Sequence, residues 1–448
     1  MRAYAEQPHF RSAEGHEVIF DNPFHRPVRA HDLSFLDFSR PVDQQHACAL
    51  SALMGNRMLL NIYEADLPFV GEASSAQSLA DRAAFYSTNN RVLGEQVRPA
   101  LERHCFAWVD DAAVAQEEST TGLIERSLTQ FVVSAQAVAK AIDAADAPAR
   151  MARLLAIQMC GPLRARDLAL QRYVIASPDS FWGDWIAAGA HAAHTRRHET
   201  SALARAAQLS ETPHAYWQFY LGSQLAVTNY LTRVLRNPSR FFEAAGSIAI
   251  DRLCSFELAL CWRDLLASAF GADAAPSSGW QRSSIETLTS QVLCQIENMS
   301  GVPRAECLRA FKRGIQGMCQ VLVAANDDLV QQIAWAGHAS ENRRMAEDYT
   351  RVIRERSLVV DMETYIEPSS ERSTTHVHNT DRLLVIESGE MDFWHSYGEP
   401  LHFTPGDMIF VPKYRLHGSV VTTRQCVYHQ PIVDGELRES FSHLRPMR

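Results

Sequence analysis

The sequence predicts a multidomain α plus β protein in which an all-α body is followed by a small C-terminal β-barrel. Up to about residue 350, apolar residues recur at spacings of three and four, as they do along one face of a helix. After residue 357, apolar residues fall into short β-branched and aromatic runs separated by turn residues. The length of 448 residues suits two or three domains of roughly 150 residues each.

The helical pattern is clearest in two long stretches of the body. Residues 216–237 place apolar side chains at helical spacing and end at Asn237-Pro238, a pair that is typical of a helix end. Residues 247–270 have the same periodicity. Both stretches are apolar over wide faces, so we expect them to pack inside a helical bundle.

Two segments are predicted connectors. The Ala- and Asp-rich segment 141–151 and the segment GADAAPSSG at 271–279 both lack helical periodicity. The first connector divides the helical body into a predicted helical region at 1–140 and a second one at 141–350.

Residues 357–448 are predicted to form the β domain. Ser-Gly, Tyr-Gly-Glu-Pro and Pro-Gly-Asp turns separate its strands. The predicted strands lie within SLVVDMETYIEP, RLLVIESGEMDFW, LHFTP, DMIFVP and GSVVTTRQCVYHQ. Several short strands joined by such turns favour a barrel or a jelly roll.

Composition excludes several classes of function. The formal net charge of −9 and the pI near 6.1 argue against a nucleic-acid partner, because phosphate binding needs clustered Lys and Arg. No apolar run approaches the ~18 residues of a membrane span, and no secretory signal is evident. The nine cysteines are scattered without a CxxC pair. We therefore expect a cytoplasmic protein with reduced thiols and no membrane association.

Three histidines in the predicted β domain are candidate metal ligands. His376 and His378 point to the same face of a strand because they are two residues apart. Facing strands of a barrel can bring His417 to this pair. Three neutral imidazoles would leave open positions on an ion for dioxygen and a chelating substrate, the arrangement that non-haem iron uses. The alternative is that these are ordinary surface or core histidines.

The spacing around these histidines resembles the cupin superfamily. The first cupin motif matches His376, His378 and Gly389, and the second, G-x5-P-x4-H, matches Gly406, Pro412 and His417. The resemblance implies one Fe(II) per chain bound by the three histidines.

The match to the cupin motifs has one departure. Arg382 stands where many cupins have a glutamate ligand, so we expect it to turn away from the cation or to pair with a substrate carboxylate. Residues that flank or alternate with the motif strands are candidate substrate-binding residues: Arg382, Trp394, Tyr414, Arg415, Tyr428 and His429.

Other stretches extend the resemblance over nearly the whole chain. They are NIYEADLPF (61–69), FYSTNNRVLGEQVRPALERHCFAWVDD (85–111), HAYWQFYLGSQLAVTNYL (214–231) and QQIAW (331–335). Together with the β motifs they resemble the N-nitrosourea-forming synthases of streptozotocin biosynthesis and related N–N bond-forming enzymes, including those that form graminine. The resemblance implies a helical dimerisation region at 1–140, a haem-oxygenase-like di-iron domain at 141–350, a cupin at 357–448 and a homodimer.

The di-iron ligands implied by this resemblance are missing. Residues 151–165 contain no acid, and the position of a second glutamate falls at Ala188 or Gly189. No histidine occurs between His214 and His338. We therefore expect a haem-oxygenase-like domain without a di-iron centre.

A different metal site in the helical body remains an alternative. His191, His194 and His198 lie at i, i+3 and i+7, which is one face of a helix. The adjacent run TRRHE is more typical of a solvated or partner-facing helix.

The predicted function is oxygen chemistry at the cupin alone. Fe(II) and O2 would convert an N-hydroxylated arginine, supplied by an upstream N-hydroxylase, into an N–N bonded product. The product would be a graminine-like diazeniumdiolate or an N-nitroso compound of natural-product or siderophore biosynthesis. The alternatives are a regulatory or otherwise non-catalytic cupin that binds a small molecule, and a cupin dioxygenase with an unrelated substrate.

Overall fold

The computed structural model describes most of the chain. The described residues are 1–11, 24–28, 33, 36–67, 76–112, 119–174, 198–212, 214–276, 282–299, 303–369, 375–398 and 400–442. Within them a helical region ends at Glu355 and a region of antiparallel strands begins at Met362. The predicted α plus β class is confirmed at this level, and the cupin barrel and the three-domain division stay predictions.

The helical region consists of helices that differ widely in length. In chain order the helices of the described residues are α1 (Arg2–Ala5), α2 (Leu50–Glu64), α3 (Ala76–Phe85), α4 (Thr88–Asp110), α5 (Thr120–Asp143), α6 (Pro148–Cys160), α7 (Pro162–Val174), α8 (Gly222–Arg236), α9 (Phe241–Phe270), α10 (Arg282–Asn298), α11 (Arg304–Ala336), α12 (Ala339–Glu355) and the C-terminal α13 (Gly435–Ser442). Residues 198–206 are also helical. Two short strands, β1 (Phe10–Arg11) and β2 (Arg26–Pro27), pair in parallel near the N-terminus. Among the described residues, no helix combines the length and apolar character needed to cross a membrane.

The long helices α9 and α11 cross in close contact at two glycines. A Cβ atom on Gly246 would lie 2.0 Å from the carbonyl oxygen of Phe311. A Cβ atom on Gly314 would lie 1.9 Å from the carbonyl oxygen of Glu243. Any larger residue at either position would push the two backbones apart, so glycine sets this crossing.

The predicted helices agree with the structure except at their starts, since α9 begins at Phe241 rather than at residue 247. Residues 217–219 form a turn of 3-10 helix, and α8 begins only at Gly222. Its end at Asn237 is as predicted, and the Asn237 side chain accepts a hydrogen bond from the backbone N–H of Ser239. The predicted connector at 141–151 is shorter than expected because α5 ends at Asp143 and α6 begins at Pro148.

The β region contains two antiparallel sheets. Its strands are β3 (Met362–Pro368), β4 (Arg382–Ser388), β5 (Met391–Trp394), β6 (Leu401–Phe403), β7 (Met408–Val411), β8 (Gly418–Val421) and β9 (Gln425–Pro431). The first sheet has the order β3-β9-β4-β7, and the second has the order β6-β5-β8. Buried side chains of both sheets, such as Leu384, Tyr428 and Phe403, share one core.

Gly389, which was matched to the first cupin motif, occupies the turn between β4 and β5. Its φ angle is +80°, and a Cβ atom there would lie 2.1 Å from the carbonyl oxygen of Gln425. Both the positive φ and the close backbone require glycine. This turn lets β4 and β5 enter different sheets.

Candidate metal centre

His376, His378 and His417 lie together in the β region. His376 and His417 face each other across an antiparallel bridge, and the N–H of each donates to the carbonyl oxygen of the other at 3.0 Å. The ring centroids are 4.7 Å apart for His376 and His417, 4.9 Å for His376 and His378, and 5.0 Å for His378 and His417. One potential ligand atom of each histidine lies within 4.8 Å of the other two. One ion can therefore be bound by all three.

His417 is the most firmly held of the three. Its side chain is buried, and its Nδ1–H donates to the carbonyl oxygen of Arg415 at 2.8 Å. Its ring stacks on Phe393, with centroids 5.6 Å apart. A hydrogen bond from Nδ1–H fixes the tautomer, so Nε2 keeps the lone pair that a metal ion needs.

The segment that carries His376 and His378 is not a strand as predicted, since His376 forms only an isolated bridge with His417. The helical region anchors this segment on both sides. Before His376, Arg57 of α2 donates to the carbonyl oxygen of Thr375 at 2.8 Å and to its hydroxyl at 3.2 Å. The Thr375 N–H donates to the side chain of Gln218 at 3.1 Å. After His378, the side chain of Asn379 accepts from the N–H of Leu50 at the start of α2, at 3.1 Å. The histidine pair is therefore positioned by contacts with helices as well as by its own sheet.

The electrostatic environment suits a metal ion. Burial, followed by the neighbouring His376, lowers the pKa of His417 to about 3. Burial also lowers the pKa of His378, with smaller contributions from His376, His417 and Arg382. Both imidazoles are therefore neutral at neutral pH, which is the metal-binding form. The Nε2 atom of His378 is buried and makes no hydrogen bond within the described residues, so a bound cation would give it a partner.

Comparison with known proteins places this geometry in context. No family model matches the chain. The chain is 26% identical over 420 residues to the nitrosourea synthase of Streptomyces achromogenes subsp. streptozoticus, and the alignment covers 91% of this chain and 89% of that protein. The chain is a relative of nitrosourea synthase. The resemblance predicted from the sequence is confirmed.

In this relative of nitrosourea synthase, Arg382 is paired within the β region. Its guanidinium forms an ion pair with Glu363 and donates to the side chain of Gln430 at 3.0 Å and to the hydroxyl of Thr380 at 3.1 Å. Glu363 lies on β3 and Gln430 on β9, so the side chain of Arg382 reaches across β9. Its charge still contributes to the lowered pKa of His378 and His417. The carboxylate that pairs with Arg382 in this structure therefore belongs to the protein, at Glu363.

Two other predicted substrate-binding residues flank the histidines through their backbones. Tyr414 has a φ angle of +64°, and its N–H donates to the carbonyl oxygen of His378 at 2.8 Å. The ring of Tyr414 lies 6.4 Å from that of His46. Trp394 pairs with Gly418, and a Cβ atom on Gly418 would lie 2.7 Å from the Trp394 Nε1 atom. Trp394 therefore covers the face of β8 opposite to the side chain of His417.

The remaining predicted substrate-binding residues have partners elsewhere. Arg415 is buried against α11, where it forms an ion pair with Asp328 at 3.1 Å, so its backbone rather than its side chain contacts the site. The hydroxyl of Tyr428 donates to Glu367 at 2.8 Å inside the β region. His429, on the opposite side of β9, lies 2.8 Å from Glu387. Their roles in substrate binding stay predictions, with Arg415 the least suited because its guanidinium is already engaged.

Sequence reasoning missed three residues beside the histidines. Gln332 of α11 donates to the carbonyl oxygens of His395 and Leu416, at 2.9 and 3.0 Å, and accepts from the Leu416 N–H at 2.8 Å. Trp335 of α11 enters the core of the β region and donates from Nε1 to the Phe410 carbonyl oxygen at 2.9 Å. His395 lies beside Trp335. The stretch QQIAW was a signal, since it carries the resemblance to nitrosourea synthases and contains both Gln332 and Trp335.

The helical region contains a cavity of about 140 Å³, named here the helical cavity. Gln158, from the stretch 151–165 where the resemblance would place a di-iron ligand, contributes to its wall. Among its described lining residues Glu199 is the one carboxylate, no histidine is present, and the guanidinium groups of Arg166 and Arg252 lie there instead. Guanidinium groups repel a cation and cannot bind one.

The histidines on the predicted i, i+3, i+7 face cannot all be placed. His191 and His194 lie outside the described residues, and His198 is exposed at the start of the helical segment 198–206. Within the described residues, the group of metal-ligating side chains close enough to hold one ion is His376, His378 and His417. The absence of a di-iron centre stays a prediction.

Proposed function

We propose that this chain is a mononuclear non-haem iron enzyme that uses dioxygen to oxidise and rearrange an N-hydroxylated arginine, forming an N–N bond. The product is a diazeniumdiolate of the graminine type or an N-nitroso compound. Fe(II), one per chain, binds to His376, His378 and His417. The β region is a cupin, and residues 141–350 are a haem-oxygenase-like domain that serves as a scaffold.

The observation that carries this proposal is the convergence of His376, His378 and His417, where the buried Nε2 atom of His378 has no hydrogen-bond partner among the described residues. Imidazole is a common ligand of iron, and three such ligands leave coordination positions for other groups. The second support is the similarity to nitrosourea synthase, which is named for a product that contains an N–N bond. The metal site and the relationship therefore point to the same kind of chemistry.

The protein's own residues contribute orientation. The bond from His417 Nδ1–H to the Arg415 carbonyl presents Nε2 to the site. The anchors at Thr375 and Asn379 hold the segment that carries His376 and His378. Bound iron(II) would supply the redox chemistry toward dioxygen and a point of attachment for the hydroxyguanidine. Holding dioxygen and the hydroxyguanidine side by side would make their reaction effectively unimolecular.

The scaffold role of the helical region determines the proposed partners. Since the described lining of the helical cavity contains one carboxylate and no histidine, the substrate reaches this protein already hydroxylated. An upstream N-hydroxylase is the proposed pathway partner, and the proposed assembly is a homodimer.

The test is incubation of the Fe(II)-loaded protein with N-hydroxyarginine and air. We expect mass spectrometry to detect an oxidised product from a ¹⁵N-labelled guanidine. Its fragments should show that two of the labelled nitrogens are bonded to each other. The His376→Ala protein should give none. Conversion of arginine itself by the wild-type protein would contradict the scaffold role, and no conversion of N-hydroxyarginine would contradict the proposed reaction.

A second candidate is a metal-free cupin that binds a small anion for regulation. The observation that favours it is the positive charge of Arg382 beside the histidines, which opposes a cation. The ion pair with Glu363 offsets part of that charge. A protein that binds no iron after anaerobic reconstitution would favour this candidate.

A further inference from the structure

His395 is a buried histidine that shares its surroundings with the metal ligand His417. It follows β5 directly and is 3% exposed. Its ring centroid lies 5.5 Å from that of Trp335 and 6.4 Å from that of Phe393. The same two rings lie 6.2 Å and 5.6 Å from His417. Two aromatic side chains therefore adjoin both imidazoles.

The alternation of β5 explains this placement. Phe393 lies in the core shared by the two sheets, whereas Trp394 packs with the helical core. His395, two residues after Phe393, returns to the side of the shared core. The backbone of His395 is fixed because its carbonyl oxygen accepts from Gln332. Sheet geometry and α11 together direct this imidazole toward the side of the metal site.

The Nε2 atom of His395 has no hydrogen-bond partner among the described residues although it is buried. Such an atom costs roughly 1–3 kcal/mol, and most buried polar groups in proteins are paired. Three other histidines of this region are bonded: His417 to the Arg415 carbonyl, His402 to Asp392 and His429 to Glu387. The Nε2 atom is therefore available to accept a hydrogen bond from a partner outside the described residues.

The imidazole is also neutral, which limits the class of partner. Burial, with a contribution from Arg150, lowers the pKa of His395 to about 4. In the Nδ1–H tautomer, Nε2 is then a hydrogen-bond acceptor without a charge that would repel a cation. A hydroxyguanidine carries several N–H donors and one O–H donor, so it matches such an acceptor.

We propose that His395 is a substrate-binding residue whose Nε2 accepts a hydrogen bond from the N-hydroxylated guanidine group of a substrate held at the three-histidine site. This inference rests on the proposed function and adds to it the group that orients the guanidine. It assigns no metal-binding role to His395.

The test compares His395→Phe with His395→Gln in the anaerobic Fe(II)-loaded protein. Calorimetric titration with N-hydroxyarginine should give a Kd raised about tenfold or more for His395→Phe, since the acceptor is lost. His395→Gln retains a polar acceptor and should stay within about threefold of the wild-type Kd. Both variants should bind the same amount of iron, and KM should rise more than kcat falls.

The matched control is His402→Phe. His402 is an exposed imidazole on β6 that is bonded to Asp392, so its replacement should leave the Kd unchanged. The melting temperature separates folding from binding, because replacing an unpaired buried imidazole by a ring of similar shape is expected to be neutral or stabilising.

Four results would overturn the inference. If wild-type protein binds and converts N-hydroxyarginine but His395→Phe has the same Kd, the inference fails and the proposed function stands. If His395→Phe loses iron, its role is in the metal site. If the wild-type protein neither binds nor converts N-hydroxyarginine, both the inference and the proposed function fail. Should His395→Phe not fold, a wild-type KM in His395→Ala would contradict the inference equally.

Discussion

The helical cavity and the three-histidine site differ in the polar groups that each brings together. The helical cavity encloses about 140 Å³ and has the guanidinium groups of Arg166 and Arg252 in its wall. Arg166 is paired with the buried Asp251 at 2.6 Å. The three-histidine site contains the neutral imidazoles of His378 and His417 instead, and Nε2 of His378 is buried without a partner in the described structure.

The type of side chain is a better guide to metal chemistry than the presence of a cavity. Paired charges such as Arg166 and Asp251 satisfy each other and leave little capacity to bind an added ion. Neutral imidazoles with available lone pairs retain that capacity. We therefore propose that the chemistry takes place in the β region and that the helical region supports it.

The largest expected effect follows from removing a ligand. His376→Ala or His417→Ala should lower iron affinity by about 100-fold or more, because a protein ligand contributes at least as much as the groups that orient it. Iron per chain after anaerobic loading and desalting measures this. His429→Ala is the matched control, since His429 lies on β9 beside Glu387 and should leave iron content unchanged. Retention of iron by His376→Ala would contradict the assignment of the iron to the three-histidine site.

The anchor from the helical region should have the next largest effect. Arg57→Met removes the donor to the carbonyl and hydroxyl of Thr375, which leaves a buried acceptor unpaired at a cost of about 1.5–3 kcal/mol. We expect a lower melting temperature and an iron affinity reduced about tenfold, as for other groups that orient ligands.

The control for Arg57→Met is Arg252→Met, the same change at a buried arginine of the helical cavity. It should destabilise the helical region without changing iron affinity. Equal losses of affinity in the two variants would show a general effect of unfolding, and the positioning role of Arg57 would be contradicted.

Arg382→Gln should have a smaller effect of opposite sign. Removing a positive charge beside the histidines should raise iron affinity severalfold, a modest change because Glu363 already offsets the charge of Arg382. Titration of the metal-free protein with Fe(II) measures this. Arg424→Gln, at an exposed position between β8 and β9, is the control and should change nothing. A lower affinity in Arg382→Gln would show that Arg382 supports the site.

The smallest expected effect concerns the helical cavity itself. Glu199→Gln removes the carboxylate among the described lining residues and should leave both iron content and turnover of N-hydroxyarginine unchanged. Metal analysis beside a product assay checks this. A lower iron content would reveal a metal site in the helical region, and metal binding would then not be confined to the β region.

The sequence predicted the local features of both regions well. Helix ends such as Asn237 and the strands after residue 357 follow from periodicity and turn residues, which act over a few neighbours. The convergence of His376, His378 and His417 was also predicted, because the residue spacing in the matched cupin motifs depends on which segments pair in space.

Features that depend on distant residues were not predicted. Trp335 and Gln332 reach the β region from α11, and nothing in the β sequence indicates that a helix enters its core. The partner of Arg382 depends on β9 lying between β3 and β4, an order that spacing alone does not give. The unpaired Nε2 of His395 is likewise visible only once burial is known.

Anomalous scattering from crystals of the Fe(II)-loaded protein, recorded at the iron edge, tests the central claim most directly. We predict one anomalous-scattering peak per chain, between His376, His378 and His417, and none in the helical cavity. Iron in the helical cavity, or no iron at the three histidines of a protein loaded without oxygen, would contradict it.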